Sequence, residues 1–195
     1  MKILSALAGI SLMIATAGSA TAQRLKLIEG SLDAIQSETS LNFDFSYDNM
    51  SVGKFDKEAD YVAKKTAEYN NKEDGRGDRW AKAWVDDRKD KFEPKFIELF
   101  TEYSEKSQSR NAKYTLIFKT TFTEPGFNVG VMRKNAVIDG EVWIVETANP
   151  SNIIAKISVE KALGRTFGGY DFDTGGRIME AYADAGKALG KFVKK

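Results

Sequence analysis

Halfway along this chain the hydrophobic period changes from helical to strand-like, and that change limits the folds it can take. Between Phe55 and Tyr103 apolar side chains recur every three or four residues, whereas from Tyr114 onward they recur every second residue. A period near 3.6 buries one face of a helix, and a period of 2 buries one face of a strand. A helical block followed by a strand block predicts an α+β fold: an antiparallel-rich sheet of about five strands with helices packed on one face. The stretch from Gln23 to Lys195 has no internal repeat and no low-complexity linker, so it reads as a single domain with one core.

Individual elements follow the same logic. Leu25 to Ile28 reads as a short strand or entry segment, and Leu41 to Tyr47 alternates apolar and polar without error. Ala59, Val62, Thr66 and Tyr69 share a helical face after Phe55, and Asp78 is placed to cap the next helix, where Trp80 and Trp84 stack one turn apart. Phe92, Phe96, Leu99, Phe100 and Tyr103 continue the stripe past Pro94, which predicts a break near Asp90 to Glu93. Tyr114, Leu116, Phe118, Thr120 and Phe122 line one face of a strand that Pro125-Gly126 stops. Ala136 to Thr147 and Ile153 to Val159 then form a hairpin around a turn at Ala148 to Asn152. A helix from about Asp173 or Thr174 closes the chain, with Ile178, Ala181, Tyr182, Ala185, Leu189 and Phe192 inward.

The first 22 residues have the layout of a signal peptide. Lys2 precedes an uncharged apolar run from Ile3 to Ala17, and Ala20-Thr21-Ala22 offers small residues for cleavage between Ala22 and Gln23. The apolar run is short for a membrane span, so the mature chain is expected to hold no transmembrane segment, and no cysteine follows to carry a lipid. The expected location is outside the cytoplasm, in a periplasm or the extracellular space.

Composition narrows the chemistry. The chain has 29 basic and 28 acidic residues, and with Lys2 removed the two signs balance. That argues against nucleic acid or an anionic membrane as the main partner, since both are held by an excess of clustered Lys and Arg. There is no Cys and no His, which removes thiol and Ser-His-Asp catalysis, thiolate zinc sites and HExxH centres. No catalytic residue, metal ligand or cofactor is assigned. Without disulfides the fold must hold by burial, for which 12 Phe, 7 Tyr and 3 Trp are an adequate payload.

Several short motifs have ordinary structural readings. Asp173-Thr174-Gly175 copies the aspartic-protease tripeptide, but a helix and the chain end follow it instead of a second lobe. Asp171 to Gly176 starts like a calcium loop, yet its twelfth position is Tyr182 where a bidentate Glu is needed. Arg76-Gly77-Asp78 is the integrin-binding tripeptide. Trp80, Trp84, Phe92, Phe96 and Phe100 could stack on sugars or bases, but at helical spacing they read as core. Asp44, Asp139, Glu141 and Glu146 are strand acids whose alternation with apolar neighbours places them toward solvent, with no pair singled out.

Glu124 to Lys134 stands apart, because it joins two strands with more residues than a tight hairpin needs. It holds Phe127, Val129, Val131, Met132 and Arg133, and apolar residues on such a connection mark a contact surface. The other reading is that the segment continues the strands as an extended hairpin or folds over the open end of the sheet.

Four strings, Asp48-Asn49-Met50-Ser51-Val52-Gly53-Lys54-Phe55, Gly75 to Trp80 with Lys91 to Phe96, Glu124-Pro125-Gly126-Phe127, and Tyr170 to Gly175, are familiar together. They resemble a family of small exported hypothetical proteins of anaerobic Gram-negative bacteria, across essentially the whole mature chain. The resemblance implies an envelope or secreted location and brings no assigned activity. The order of elements is also similar to the small α/β domains of periplasmic assembly lipoproteins, without their lipid-anchor cysteine. The functional expectation is a non-enzymatic binding or assembly module of the envelope, with an envelope protein or a small ligand as partner and its oligomeric state open. The alternatives are a carboxylate-dependent hydrolase of envelope glycans or peptides, and a structural or adhesive surface protein acting through Arg76-Gly77-Asp78.

Overall fold

One edge of the sheet pairs the first strand of the chain with the last, and helices pack on one face of its middle. The structure is a computed structural model that describes residues 23–129, 132–165 and 174–194. The expected signal peptide with Ala22, together with Val131 and the Asp171 to Asp173 part of the protease-like and calcium-like strings, lies outside these described residues. In chain order the elements are β1 (Arg24–Gly30), the single turn α1 (Asp33–Gln36), β2 (Ser40–Ser46), β3 (Ser51–Val52), α2 (Glu58–Asn70) and α3 (Arg76–Asp87). A π turn (Arg88–Phe92) leads into α4 (Glu93–Ser104), followed by β4 (Ser107–Gln108), β5 (Tyr114–Glu124), β6 (Phe127–Val129) and β7 (Met132–Lys134). β8 (Ala136–Glu146), β9 (Asn149–Gly164) and α5 (Thr174–Val193) complete the fold.

The main sheet has seven strands in the order β1-β9-β8-β5-β2-β4, with β3 also beside β5. β1, β9, β8 and β5 pair antiparallel, whereas β2, β3 and β4 join in parallel. This corrects the expectation of an antiparallel-rich sheet of about five strands: the sheet is mixed and larger. The physical reason is the connection. The chain leaves β2, passes through α2, α3 and α4, and re-enters at the same end for β5, which a helical crossover allows and a hairpin does not. β3 and β4 have two residues each, too few to show any alternation.

One sheet face is dry. Leu116, Phe118, Ile138, Val142, Ile144, Ala155 and Ile157 are fully buried there, against Phe96 and Phe100 of α4 and Ile178, Ala181, Tyr182, Ala185 and Leu189 of α5. Phe96 meets Phe118 edge-on at 5.1 Å, and Phe92 stacks on Tyr182 at 5.2 Å. α5 lies close against α4 because Gly186 faces the Phe96 carbonyl, where a Cβ would collide with backbone. The aromatic stripe is therefore core at Trp84, Phe92, Phe96 and Phe100, as its spacing predicts.

Local departures from the sequence reading have definite causes. The helix expected to begin at Asp78 starts at Arg76 after Gly75 in the left-handed conformation, and Asp78 is exposed in its first turn. Its early amide is met from α2, where Asn70 Oδ1 accepts from the Gly77 N–H at 2.6 Å. Ala59 faces solvent, and the fully packed residue of α2 is Tyr61. The break expected near Pro94 is a π turn: Pro94 cannot donate, its ring crowds the preceding turn, and the Glu93 amide reaches back to Arg88 O. β9 begins at Asn149, so the hairpin turn is tighter than Ala148 to Asn152.

Candidate binding site at the bulged end of the sheet

β5 and β8 form one long hairpin that outlasts the main sheet. Glu124 stands opposite Val137, and beyond the interruption at Pro125-Gly126 the same register resumes with Phe127 opposite Lys134 and Val129 opposite Met132. The Glu124 to Lys134 segment is thus an extended hairpin, ending in the two-stranded ribbon β6–β7. Directly opposed residues share a face, and so do residues two apart. Phe127, Val129, Met132 and Lys134 therefore lie on one ribbon face, and Asn128 and Arg133 on the other. Phe127 is 38% exposed, Val129 52% and Met132 63%. Of the sequence-predicted contact residues, three come together on the apolar face and Arg133 does not.

The ribbon's root is fixed by polar contacts. Gly126 has φ +66°, and a Cβ there would meet the backbone of Asn135 and Ala136. The Glu124 carboxylate accepts from the Gly126 N–H at 3.1 Å and from Lys134 Nζ at 2.6 Å. From α5, the buried Arg177 donates to the carbonyls of Pro125 at 3.2 Å and Gly126 at 3.4 Å, and to Thr174 Oγ1 at 3.1 Å.

Beside this root lies a groove of about 330 Å³, lined by Phe122, Glu124, Lys134, Val137, Asp139, Lys161 and Leu163. It exists because three strands lose register together. A shift between Thr120 and Phe122 keeps Thr120 and Thr123 inward and turns Phe122 outward, although simple alternation places Thr120 and Phe122 on one face. A second shift between Ile138 and Gly140 bulges β9 opposite Asp139. The bulged residue Lys161 takes φ +58°, and its amide donates to Asp139 Oδ1 at 2.6 Å. Of the strand acids, Asp139 thus faces a groove, while Glu141 accepts from Trp143 Nε1 at 2.9 Å.

Sequence reasoning put Glu124 and Lys134 at the ends of the contact segment and Asp139 among the solvent-facing strand acids, and placed no function on Lys161 or Arg177. No local signal marked the bulge: Val159 and Ala162 are both buried although three residues apart, which a regular strand does not permit, but that is read only from the folded sheet. Nothing local marks Arg177, whose role depends on a carbonyl pair 51 and 52 residues earlier.

A second polar cluster lies under the π turn. Glu58 accepts from Trp84 Nε1 at 2.5 Å and pairs with Arg88, whose guanidinium lies 4.3 Å from the centre of the Tyr47 ring. Tyr47 donates to Glu93 at 3.5 Å, and the Tyr182 hydroxyl bonds Thr120 Oγ1 at 2.5 Å. Burial, reinforced for Tyr47 by Tyr182 and Glu93, drives both phenols well above the ordinary tyrosine range. The cavity among these residues is about 10 Å³, no more than one water. It admits no substrate.

Among the described residues no group of three or more Asp or Glu side chains could hold a metal ion, and no helix is long and apolar enough to cross a membrane. Arg76-Gly77-Asp78 is helical, with Gly77 buried against α2.

No known protein family matches the chain, and no curated protein matches it. Among solved structures it is similar to the PelC dodecamer from Paraburkholderia phytofirmans, at 10% identity and a TM-score of 0.37, covering 84% of this chain and 97% of that one. A variant of the same PelC gives 9% identity with the same TM-score and coverage. A likeness this slight bears on neither the activity nor the assembly of this chain.

Proposed function

We propose that this protein is an exported envelope protein, periplasmic or secreted, that works as a non-enzymatic binding or assembly module. Its contact element is the apolar face of the β6–β7 ribbon. The observation that carries the reading is the contrast between a locked root and an exposed apolar tip. Among the described residues, Phe127, Val129 and Met132 are half of the six large hydrophobic residues left exposed, on one face of a short ribbon. Loops that carry function are held this way, presented by a rigid scaffold. Glu124 and Asp139, the two acids lining the groove, are both engaged in holding backbone, at Gly126 and Lys161 respectively.

The test is affinity capture from envelope extract with wild type, a Phe127→Ala, Met132→Ala double variant, and a Val85→Ala control. Val85 is 51% exposed on α3, outside the two strands of the ribbon. The partner should be retained by wild type and control and lost by the double variant, with unchanged thermal midpoints. Equal recovery by all three would remove the ribbon as contact element. Export itself is tested by N-terminal sequencing of material from the envelope fraction, where Gln23 should be the first residue.

A further inference from the structure

We propose that the groove at the bulged end of β5, β8 and β9 is a second binding site, independent of the ribbon, for a small amphipathic carboxylate. Its apolar body would lie on Phe122, Val137 and Leu163, and its carboxylate would meet the ammonium of Lys161.

Three observations converge on this ligand. The groove, at about 330 Å³, falls within the range of small-molecule sites, which combine an apolar lining with a few polar groups. Its charges are unequally used. Glu124 is bound through both oxygens, Lys134 is paired to Glu124, and Asp139 accepts the Lys161 amide. Asp139 and Lys161 both lack an ion-pair partner among the described residues, but Asp139 already accepts a hydrogen bond whereas the Lys161 ammonium makes none, so the unmet donors left for a ligand are those of Lys161. A carboxylate meets them with a charge-assisted hydrogen bond.

The third observation is backbone strain. Among the described residues, positive φ occurs at three that are not glycine, Asn49, Glu105 and Lys161. Asn tolerates that region, and Glu105 follows the last turn of α4, where it is common. Lys161 lies within a strand, where neither reason applies, and Asp139 holds it there. A local cost of this kind is kept where it positions a side chain. Here it places the Lys161 side chain at the groove wall.

Octanoate and 1-octanol serve as probes, followed through amide shifts of the full mature chain. Octanoate should move the amides of Phe122, Val137, Asp139 and Leu163 saturably at millimolar concentration. Lys161→Met should weaken octanoate about tenfold, the worth of one charge-assisted hydrogen bond, and leave 1-octanol unchanged. Lys161→Gly removes the same ammonium while accepting the backbone conformation, so it reports even if Lys161→Met folds poorly. Phe122→Ser should weaken both probes. The Phe127→Ala, Met132→Ala variant should bind octanoate like wild type, which separates this site from the ribbon. Absence of saturable shifts, or equal octanoate affinity in wild type and both Lys161 variants, would overturn the proposal.

Discussion

Carboxylates, cations and aromatic rings meet in two parts of this molecule, under the π turn and beside the hairpin root, and the two places use them differently. Under the π turn, Glu58 serves Trp84 and Arg88 at once, Arg88 covers Tyr47, and Tyr182 is closed by Thr120. The space left over holds one water at most. Beside the hairpin, Glu124 and Lys134 pair, but around an open groove where Asp139 is engaged only by an amide and the Lys161 ammonium by no partner among the described residues. Partnering decides what each cluster can do. A satisfied network in a closed space fixes packing, whereas an unsatisfied charge on an apolar floor is available to something outside.

The largest effect that separates them is alkaline. Tyr47, Tyr61 and Tyr182 all have phenols raised above 10.0, first by burial. A group whose pKa is raised on folding stabilises fully below its unfolded pKa, and that contribution is lost as pH rises beyond it. Stability should therefore be flat through neutral pH and fall above about pH 10, by on the order of 4 kcal/mol at pH 11 for three such groups. Spectrophotometric titration should show these phenols ionising only as the protein unfolds. If all seven tyrosines titrate near 10 with the fold intact, the closed cluster is not closed. Next in size is Glu58→Ala, which strips the acceptor from Arg88 and Trp84. The pair keeps 18% and 22% side-chain exposure, so the cost should be about 3 kcal/mol by urea unfolding, at the lower end for a broken buried pair. Partner capture and octanoate binding by the folded fraction should not change.

How far the sequence disclosed this contrast depends on the range of the interactions involved. The buried face of β5 up to Thr120, the core role of Phe96 and Phe100, and the inward stripe of α5 from Ile178 to Leu189 all follow from local period. So does the unusual length of the Glu124 to Lys134 connection, which led to Phe127, Val129 and Met132. Parallel pairing of β2 with β5 depends on where three intervening helices return the chain, which no periodicity records. The groove is less legible still. It is made by register shifts, and a shift is visible only once two strands are aligned with each other. Phe122 illustrates this: the alternation from Tyr114 points it inward, and one bulged residue before it turns it out. Asp78 failed for a related reason, since the amide at that helix start is met by Asn70 from another helix.

A third test acts on the hairpin root. Gly126→Ala places a Cβ against the Asn135 and Ala136 backbone at a positive φ, so about 2 kcal/mol of stability should be lost. Because the same residue donates to Glu124, the substitution should also loosen the ribbon. Hydrogen exchange at Asn128 and Arg133 should quicken by more than the global loss accounts for. Exchange that follows global stability alone would mean the ribbon is not held by its root.

The smallest effect is the most discriminating. Lys161→Gly removes a side chain from a left-handed position and should recover part of the roughly 1 kcal/mol that an L-residue loses there, offset by the freedom glycine gains when unfolded. The net change should lie between no effect and a gain of about 0.5 kcal/mol, within the range of ordinary surface substitutions. If Lys161 were only a filler of the bulge, glycine would serve as well or better in every measurement. A protein that is as stable with glycine, keeps the Asp139 hydrogen bond to the amide, and yet loses octanoate would show that the strained lysine is kept for its ammonium. A marked loss of stability would show instead that its aliphatic stem is structural, and would move Lys161 from the open cluster to the closed one.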